Sequence, residues 1–572
     1  MRSCQAKRRS SAFPLPLLGL ALVVGGCAVG PDFLPPEAPV QENWIEKSDR
    51  RVSNKEAKAD WWRVFHDPTL DRLVRAGAGQ NLPVQIAGLR ILEARAQLGI
   101  AIGELFPQQQ EAAGAGTWNK LSERVANRAN LPKHAFADYS LGFNASWELD
   151  FWGRFRRNIE AADAAMTATM ADYDNALVSL TGDIARVYTE LRTYETLLEI
   201  ARENVRLQRD GLQIAEARFR AGATSELDVV QQRALLENTI ASIPELETGA
   251  QRAKNALSVL LGEPPGGVEP LLGGPKKIPA ASSRVAVGLP AELLRRRPDV
   301  RAAEMRAAAE SARIGVAEAE LYPHFYLFGE IGVQASDVAK LFAPGSVFLT
   351  AGPSFRWSIL NYGRIADAVR AQDARFQASL VAYEDTVLKA AREVEDALIG
   401  FLKAQQRAGA LERSVAAAQR AVELSFIQYK EGAENFQRVL DAQTRLLEER
   451  NRLADTRGSI AANLIALYRA LGGGWEIRSG KPIVPDAMQA QMAARTDWGG
   501  FCRRRPRPRL ISCGRRRRPA RPCRSCGRMT SPPSRQASRS SRAGPRIHNL
   551  PGRTPHTQKC VGRFPEFDGA CD

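Results

Sequence analysis

The chain has 572 residues, of which 44% are hydrophobic and 25% charged, and its formal net charge is +17. A charge of that size would point to a nucleic-acid or acidic-membrane partner if it were spread over the chain. It is not: residues 495–572 hold 19 Arg and one Lys against four acids, so +16 lies in this tail and the remaining 494 residues are near neutral, which excludes a basic nucleic-acid-binding body.

At the N-terminus, Arg2, Lys7, Arg8 and Arg9 precede an apolar run from Ala12 to Val24. The run is shorter than the roughly 20 residues that cross a bilayer as a helix, so residues 1–26 read as an export signal. It stops at Val24-Gly25-Gly26-Cys27, small residues directly before a thiol. This is the pattern of a bacterial lipoprotein processing site, and Cys27 is the expected lipidation site; the alternative is a buried cysteine in an ordinary signal. Ala28, which is not Asp, fits release to the outer membrane. Residues 27–69 then read as an extended, lipid-anchored segment.

Two copies of one design follow, at 70–265 and 290–475, joined by a linker at 266–289. A shift of 216 places Val84, Arg90, Gly99, Glu104 and Pro107 on Val300, Arg306, Gly315, Glu320 and Pro323. A shift of 210 then places Trp147, Gly153, Arg154, Gly222 and Val229 on Trp357, Gly363, Arg364, Gly432 and Val439. Self-similarity of this kind is read before any single element. Each copy predicts a helix, two strands, a long helix, a tight turn and a returning helix.

Leu177, Leu180, Ile184, Val187, Leu191, Tyr194, Leu198, Ala201 and Val205 step alternately by three and four, a heptad seam. Its counterpart runs from Val387 through Val394 and Phe401 to Val422. A single helix from Arg154 to Arg218 would be about 95 to 100 Å long. Pro244 is expected to kink the first returning helix or divide it. Gly222 and Gly432 suit the turns at the helix tips because glycine tolerates positive φ.

The strands are predicted at Gln108 to Asn119, Tyr139 to Leu149, Phe325 to Ser336 and Val347 to Trp357, each near the ~10 residues of a tilted membrane strand. Trp147, Trp152, Trp357 and Tyr362 lie near strand ends and read as membrane-interface aromatics. Four strands cannot close a barrel, and an open edge facing hydrocarbon leaves its N–H and C=O groups unpaired, so several chains must share one barrel. The predicted fold is mainly α with a membrane β part: an α-helical barrel of coiled-coil helices and four transmembrane strands per chain. Three chains in cyclic symmetry would close a twelve-stranded barrel.

The body, with no cysteine between Cys27 and Cys502, needs no disulfide framework, and Cys523 and Cys526 lack the second pair that a zinc site requires. After a C-terminal segment at 476–494, the Arg-, Pro- and Ser-rich tail has no apolar periodicity and cannot bury a core. It reads as a basic arm or, preferentially, as the product of a late frameshift in a GC-rich gene. The five His (His66, His134, His324, His548, His556) are dispersed, and Gly114-Ala115-Gly116 lies in a strand, so neither a catalytic site nor a cofactor is expected.

Several segments carry a resemblance. They are Cys27-Ala28-Val29-Gly30-Pro31-Asp32-Phe33; Trp61-Trp62 with Phe65 and Asp67-Pro68; Trp147 to Arg154; Arg297-Pro298-Asp299-Val300; Val439 to Gln443; and Leu471 to Trp475. The chain resembles the TolC-like outer-membrane factors, in particular the NodT-type lipoproteins that serve resistance-nodulation-division pumps, from Cys27 to about Trp475. The resemblance implies a homotrimeric exit duct in the outer membrane, a periplasmic adaptor gripping the helix tips, and an inner-membrane pump supplying energy. It also implies a periplasmic gate at the second tip, where Asp441 matches the family's aspartate, with Gln437 and Phe436 beside it and Asp228 at the first tip. The alternatives are a protein-secretion duct of the same architecture and a non-membrane coiled-coil scaffold.

Overall fold

The computed structural model describes residues 28–37, 40–53, 55, 58–122, 124, 135–274, 276–280, 282–291 and 296–498. Cys27, His134 and the tail from 499 onwards lie outside them. In chain order come helices α1 (Pro68–Gln80) and α2 (Leu82–Gly103), strands β1 (Gln109–Lys120) and β2 (Ala135–Leu149), then α3 (Arg154–Arg220) and α4 (Glu226–Leu260). The second copy follows as α5 (Pro298–Ala319), β3 (His324–Ala335), β4 (Val347–Arg356), α6 (Arg364–Lys430) and α7 (Phe436–Ala470), with a short α8 (Asp486–Ala493) at the end.

Both long helices have 67 residues, about 100 Å at 1.5 Å per residue. Most of the predicted seam is buried: Leu177, Leu180, Ile184, Val187, Leu191, Leu198, Ala201 and Val205 on α3, and Val387, Ala390, Val394, Ala397, Phe401 and Val422 on α6, whereas Tyr194 and, between Phe401 and Val422, Ala404, Leu411, Val415 and Ala418 are half-buried. Pro244 does not divide its helix, because α4 runs unbroken from Glu226 to Leu260. One lost backbone hydrogen bond is outweighed there by Leu236, Thr239, Ala250 and Ala253, which lie buried on either side of the proline.

The largest core lies where α1, the middle of α3 and the C-terminal part of α7 meet. Trp61 is fully buried, stacked on Tyr468 with ring centroids 5.5 Å apart and set edge-on to Trp62 at 6.0 Å. Asp67 caps α1 by accepting from the backbone N–H of Thr69 (2.8 Å) and Leu70 (3.2 Å), and its second oxygen accepts from the Tyr188 hydroxyl at 2.7 Å. Burial first, then this carboxylate, push the Tyr188 hydroxyl up to about 12, so it stays a donor. Arg297 does similar work for the second copy: it donates to Asp299 (2.6 Å), Glu393 (2.8 Å) and the Ala470 carbonyl (2.8 Å). Burial opposes its charge, but the two carboxylates hold it above its ordinary range. The Trp-Trp and Arg-Pro-Asp segments of the sequence are therefore staples of the packing around the long helices.

The four strands form one antiparallel sheet in the order β1-β2-β3-β4. The observed bounds differ from the predicted ones by a few residues at most, β2 beginning at Ala135 and not at Tyr139. The register corrects the repeat by one residue. Gln109 pairs with Ser146 and His324 with Arg356, so β1 matches β3 with a shift of 215, where the preceding helices need 216. The extra residue is Gln108. Its side chain accepts from the Glu148 backbone N–H at 2.7 Å and donates to the Glu148 carbonyl at 3.3 Å, so an amide side chain extends the ladder. A slip of one residue would otherwise turn the whole strand over.

Candidate functional site

Cross-strand partners share a face, so the register sorts the sheet into two surfaces. One carries Trp118, Leu141, Phe143, Ile331, Leu349 and Phe355, all exposed. The other carries Glu111, Asn144, Glu330 and Thr350 in one row, with Asn119, Asp138, Gln334 and Arg356 around them; the aromatic rings of Phe136, Phe328 and Phe348 interrupt it. A sheet with a continuous exposed apolar face and an opposite polar one is built to separate hydrocarbon from water. Among the described residues its outer strands β1 and β4 each pair on one side only.

All four strands join their helices at the same end of the sheet, and the predicted aromatics gather there. Trp147 and Trp357 play the same part in the two copies, donating their indole N–H to the carbonyls of Leu105 (3.1 Å) and Leu321 (3.0 Å). Trp152 is half-buried, stacked on Tyr322 at 4.6 Å and donating to the Pro323 carbonyl at 2.9 Å, so it joins the two copies. Tyr362 is 97% exposed and has positive φ. Trp118 and Phe342, at the far end, are exposed aromatics that the sequence reading passed over.

The residues after Cys27 thread into the junction between strands and helices. The Val29 N–H donates to the Trp152 carbonyl at 3.0 Å, and the buried Arg157 donates to the carbonyls of Val29 and Gly30 (3.1 Å each) and to Asp32 (2.8 Å). Gly30 has φ +88°, and a Cβ there would lie 2.4 Å from the Gly315 backbone, so the close approach requires glycine. Arg157 carried no signal for this contact in the sequence, because apart from Glu160 the groups it holds lie 125 to 128 residues away.

At the opposite end, the two helix tips close in the same way. Gly222 (φ +71°) and Gly432 (φ +74°) follow the last helical turns; Ala223 donates to Arg218 O at 2.8 Å and Ala433 to Gln428 O at 2.9 Å, the 6→1 bond of a Schellman end. Arg218 ties the tips together by donating to the carbonyls of Tyr429 (2.6 Å) and Lys430 (3.0 Å), with its guanidinium 4.6 Å above the Tyr429 ring. Phe436 is 1% exposed and packs on Tyr429 at 4.8 Å, so its side chain lies in the core of the tip and not on its surface. Gln437 donates to Asp441 at 2.9 Å, both of them exposed on α7. Asp228 accepts from the Thr224 hydroxyl within the first turn of α4. Shifted by 210, Asp228 falls on Arg438 and Asp441 on Gln231, so the two tips carry different charge.

Among the described residues no group of three His, Cys, Asp or Glu could hold a metal ion, and no helix is long and apolar enough to cross a membrane.

Known proteins share this architecture. A profile of the family described as outer membrane efflux protein matches residues 75–263 and 289–473, one match per copy and together more than half of the chain. Nodulation protein T of Rhizobium leguminosarum bv. trifolii is 32% identical over 459 residues, 80% of this chain and 96% of the relative. Cation efflux system protein CusC of Escherichia coli O6:H1 is 29% identical over 461 residues, 80% of this chain and 98% of the relative. The solved structure of the outer-membrane channel OprN superposes with a TM-score of 0.75 at 32% identity, covering 79% of this chain and 100% of that one.

Proposed function

The chain belongs to the outer membrane efflux protein family and is an outer-membrane exit duct, and on that premise we propose that it works as a lipid-anchored homotrimer that catalyses no reaction. The observation that carries the reading is the four-stranded sheet, apolar on one face and unpaired at both edges, fused to two 67-residue helices. Three copies close twelve strands into a barrel through the outer membrane, and the same symmetry sets the long helices side by side as a tunnel across the periplasm. A coiled-coil scaffold would account for the helices and leave the sheet without a role.

Cys27 carries the lipid. Arg157 holds the next residues against the junction below the strands, which keeps the anchor at the level of the inner leaflet. Trp147 and Trp357 sit at the same membrane interface. A periplasmic adaptor grips the helix tips and an inner-membrane pump of the resistance-nodulation-division type delivers the cargo. The two relatives are named for nodulation and for cation efflux yet each match 80% of this chain, which supports selection upstream of the duct. Asp441 and Gln437 form the closed mouth at the second tip, held in place by the buried Phe436, while Asp228 locks the first turn.

Native mass spectrometry of the detergent-extracted protein tests the assembly. Three copies are expected, each with a diacylglycerol-modified N-terminal Cys27; monomers that stay soluble without detergent would refute the reading.

A further inference from the structure

The α3 seam runs on past Val205 through Gln208 to Leu212 and Ala215, still stepping by three and four. Its partners carry glutamine at the same kind of position: Gln232 stands between Val229 and Leu236 on α4, and Gln443 between Val439 and Leu446 on α7. All three glutamines are fully buried. They meet at Gly211, where a Cβ would lie 3.1 Å from the Gln232 amide nitrogen and 3.2 Å from that of Gln443. Within the layer the Gln232 amide donates to the Gln208 backbone carbonyl at 2.8 Å and to Gln443 Oε1 at 3.3 Å. Among the described residues no group bonds to either amide atom of Gln208, to Gln232 Oε1 or to Gln443 Nε2, nor to Oδ1 of Asn204 one turn before Gln208.

A buried amide left without a partner is costly, and water is the ligand that meets both its donor and its acceptor groups. Apolar side chains at these seam positions would avoid the cost, as Val205, Val229, Leu236 and Val439 do in the neighbouring layers. We propose that Gln208, Gln232 and Gln443 form an internal water site, a hydrated layer at which α7 is held to the α3–α4 hairpin and can part from it. Gly211 supplies space by its missing side chain, and amides from three helices supply the two to four polar partners that a buried water needs. Parting an apolar layer exposes its whole surface to water, whereas parting a hydrated amide layer exchanges bound water for bulk water at little cost.

The repeat does not duplicate the layer. Shifted by 210, Gln208 falls on Ala418 and Gln232 on Ala442, while Gln443 takes the place of Arg233, which reaches Glu216 at the surface (3.2 Å). At its far end α7 is fixed by Tyr468 against Trp61 and by Arg297 on the Ala470 carbonyl, so movement is confined to the tip end, about 38 Å away. Asp441 lies two residues before Gln443. The three glutamines are thus positioning residues for Asp441, a role that rests on the mouth proposed at the second tip; the water site itself does not.

A crystal structure of the detergent-purified protein, at a resolution that shows ordered water, reads the site directly. Water bonded to the Gln208 amide and bridging to Gln232 or Gln443 is expected; a dry layer whose amides bond only to one another or to the backbone overturns the inference. The triple variant Gln208→Met, Gln232→Met and Gln443→Met replaces the layer by apolar side chains of similar length. It should raise the thermal unfolding midpoint and lower the opening frequency of single channels in planar bilayers about tenfold. A variant that is more stable yet opens as often as the wild type overturns the positioning role, because a merely structural layer would move stability alone. A variant that fails to fold also counts against the inference, which makes the hydrated layer the weaker one. Wild-type bilayers that stay silent would remove the duct reading and the role at the mouth with it, and the ordered water would still decide the site.

Discussion

The core around α1 and α3 and the four-stranded sheet use similar apolar residues in opposite ways. In the first, Trp61, Leu70, Leu73, Ile184, Tyr188 and Leu191 are sealed within one chain. In the second, Phe143, Ile331, Leu349 and Phe355 face outwards, and the strands at both edges pair on one side only. A soluble domain rarely exposes so large an apolar surface. The core is complete within one chain, while in the proposed assembly the sheet is finished by lipid and by other copies of the chain.

Substitutions on the two sides of that divide should behave differently. The largest effect is expected from Trp61→Ala, which empties a fully buried site and should cost about 3–5 kcal/mol of protomer stability, read as a large drop in thermal unfolding temperature. In the sheet, sign depends on face. Leu349→Arg puts a charge on the apolar surface and should cost about 2–4 kcal/mol if that residue meets the bilayer midplane, whereas Thr350→Arg, one residue on and facing the polar side, should stay within about 0.5 kcal/mol. The yield of folded protein in outer-membrane fractions checks the pair, and equal losses would mean that the faces are misassigned. Arg157→Met removes the donors to Val29, Gly30 and Asp32 and should cost about 2 kcal/mol locally. Its signature is cleavage of residues 28–33 by added protease while the rest of the chain remains resistant.

How much of this was legible in the sequence follows the range of the interactions. The heptad seams, the alternating strands and the tip glycines are local patterns, and the structure places them where spacing predicts. The repeat was legible too, but its strand register was not. Gln108 replaces a backbone segment with an amide side chain, and alignment by matching residues cannot show that the period-two parity has changed between helix and strand. The bound N-terminal segment was missed because Arg157 and Gly315 are ordinary residues until Val29 and Gly30 arrive beside them. The resemblance sets Phe436 beside the mouth, whereas its ring fills the tip against Tyr429, a contact set by how α6 turns into α7. Trp152 and Tyr362 read alike as strand-end aromatics; only the internal junction shows that the first is a joint.

The central claim is a continuous water-filled path through copies of this chain, and single-channel recording of the purified protein in planar bilayers tests it most directly. Discrete unitary steps are expected in the wild type. Asp441→Ala should alter protomer stability by less than about 0.5 kcal/mol, since the carboxylate is exposed, yet raise the unitary conductance and weaken preference for cations because like charges around the axis repel anions. Bilayers that stay silent with the folded, detergent-purified protein, or steps that Asp441→Ala leaves unchanged in size and ion preference, would contradict the account, the first for the duct itself and the second for its mouth.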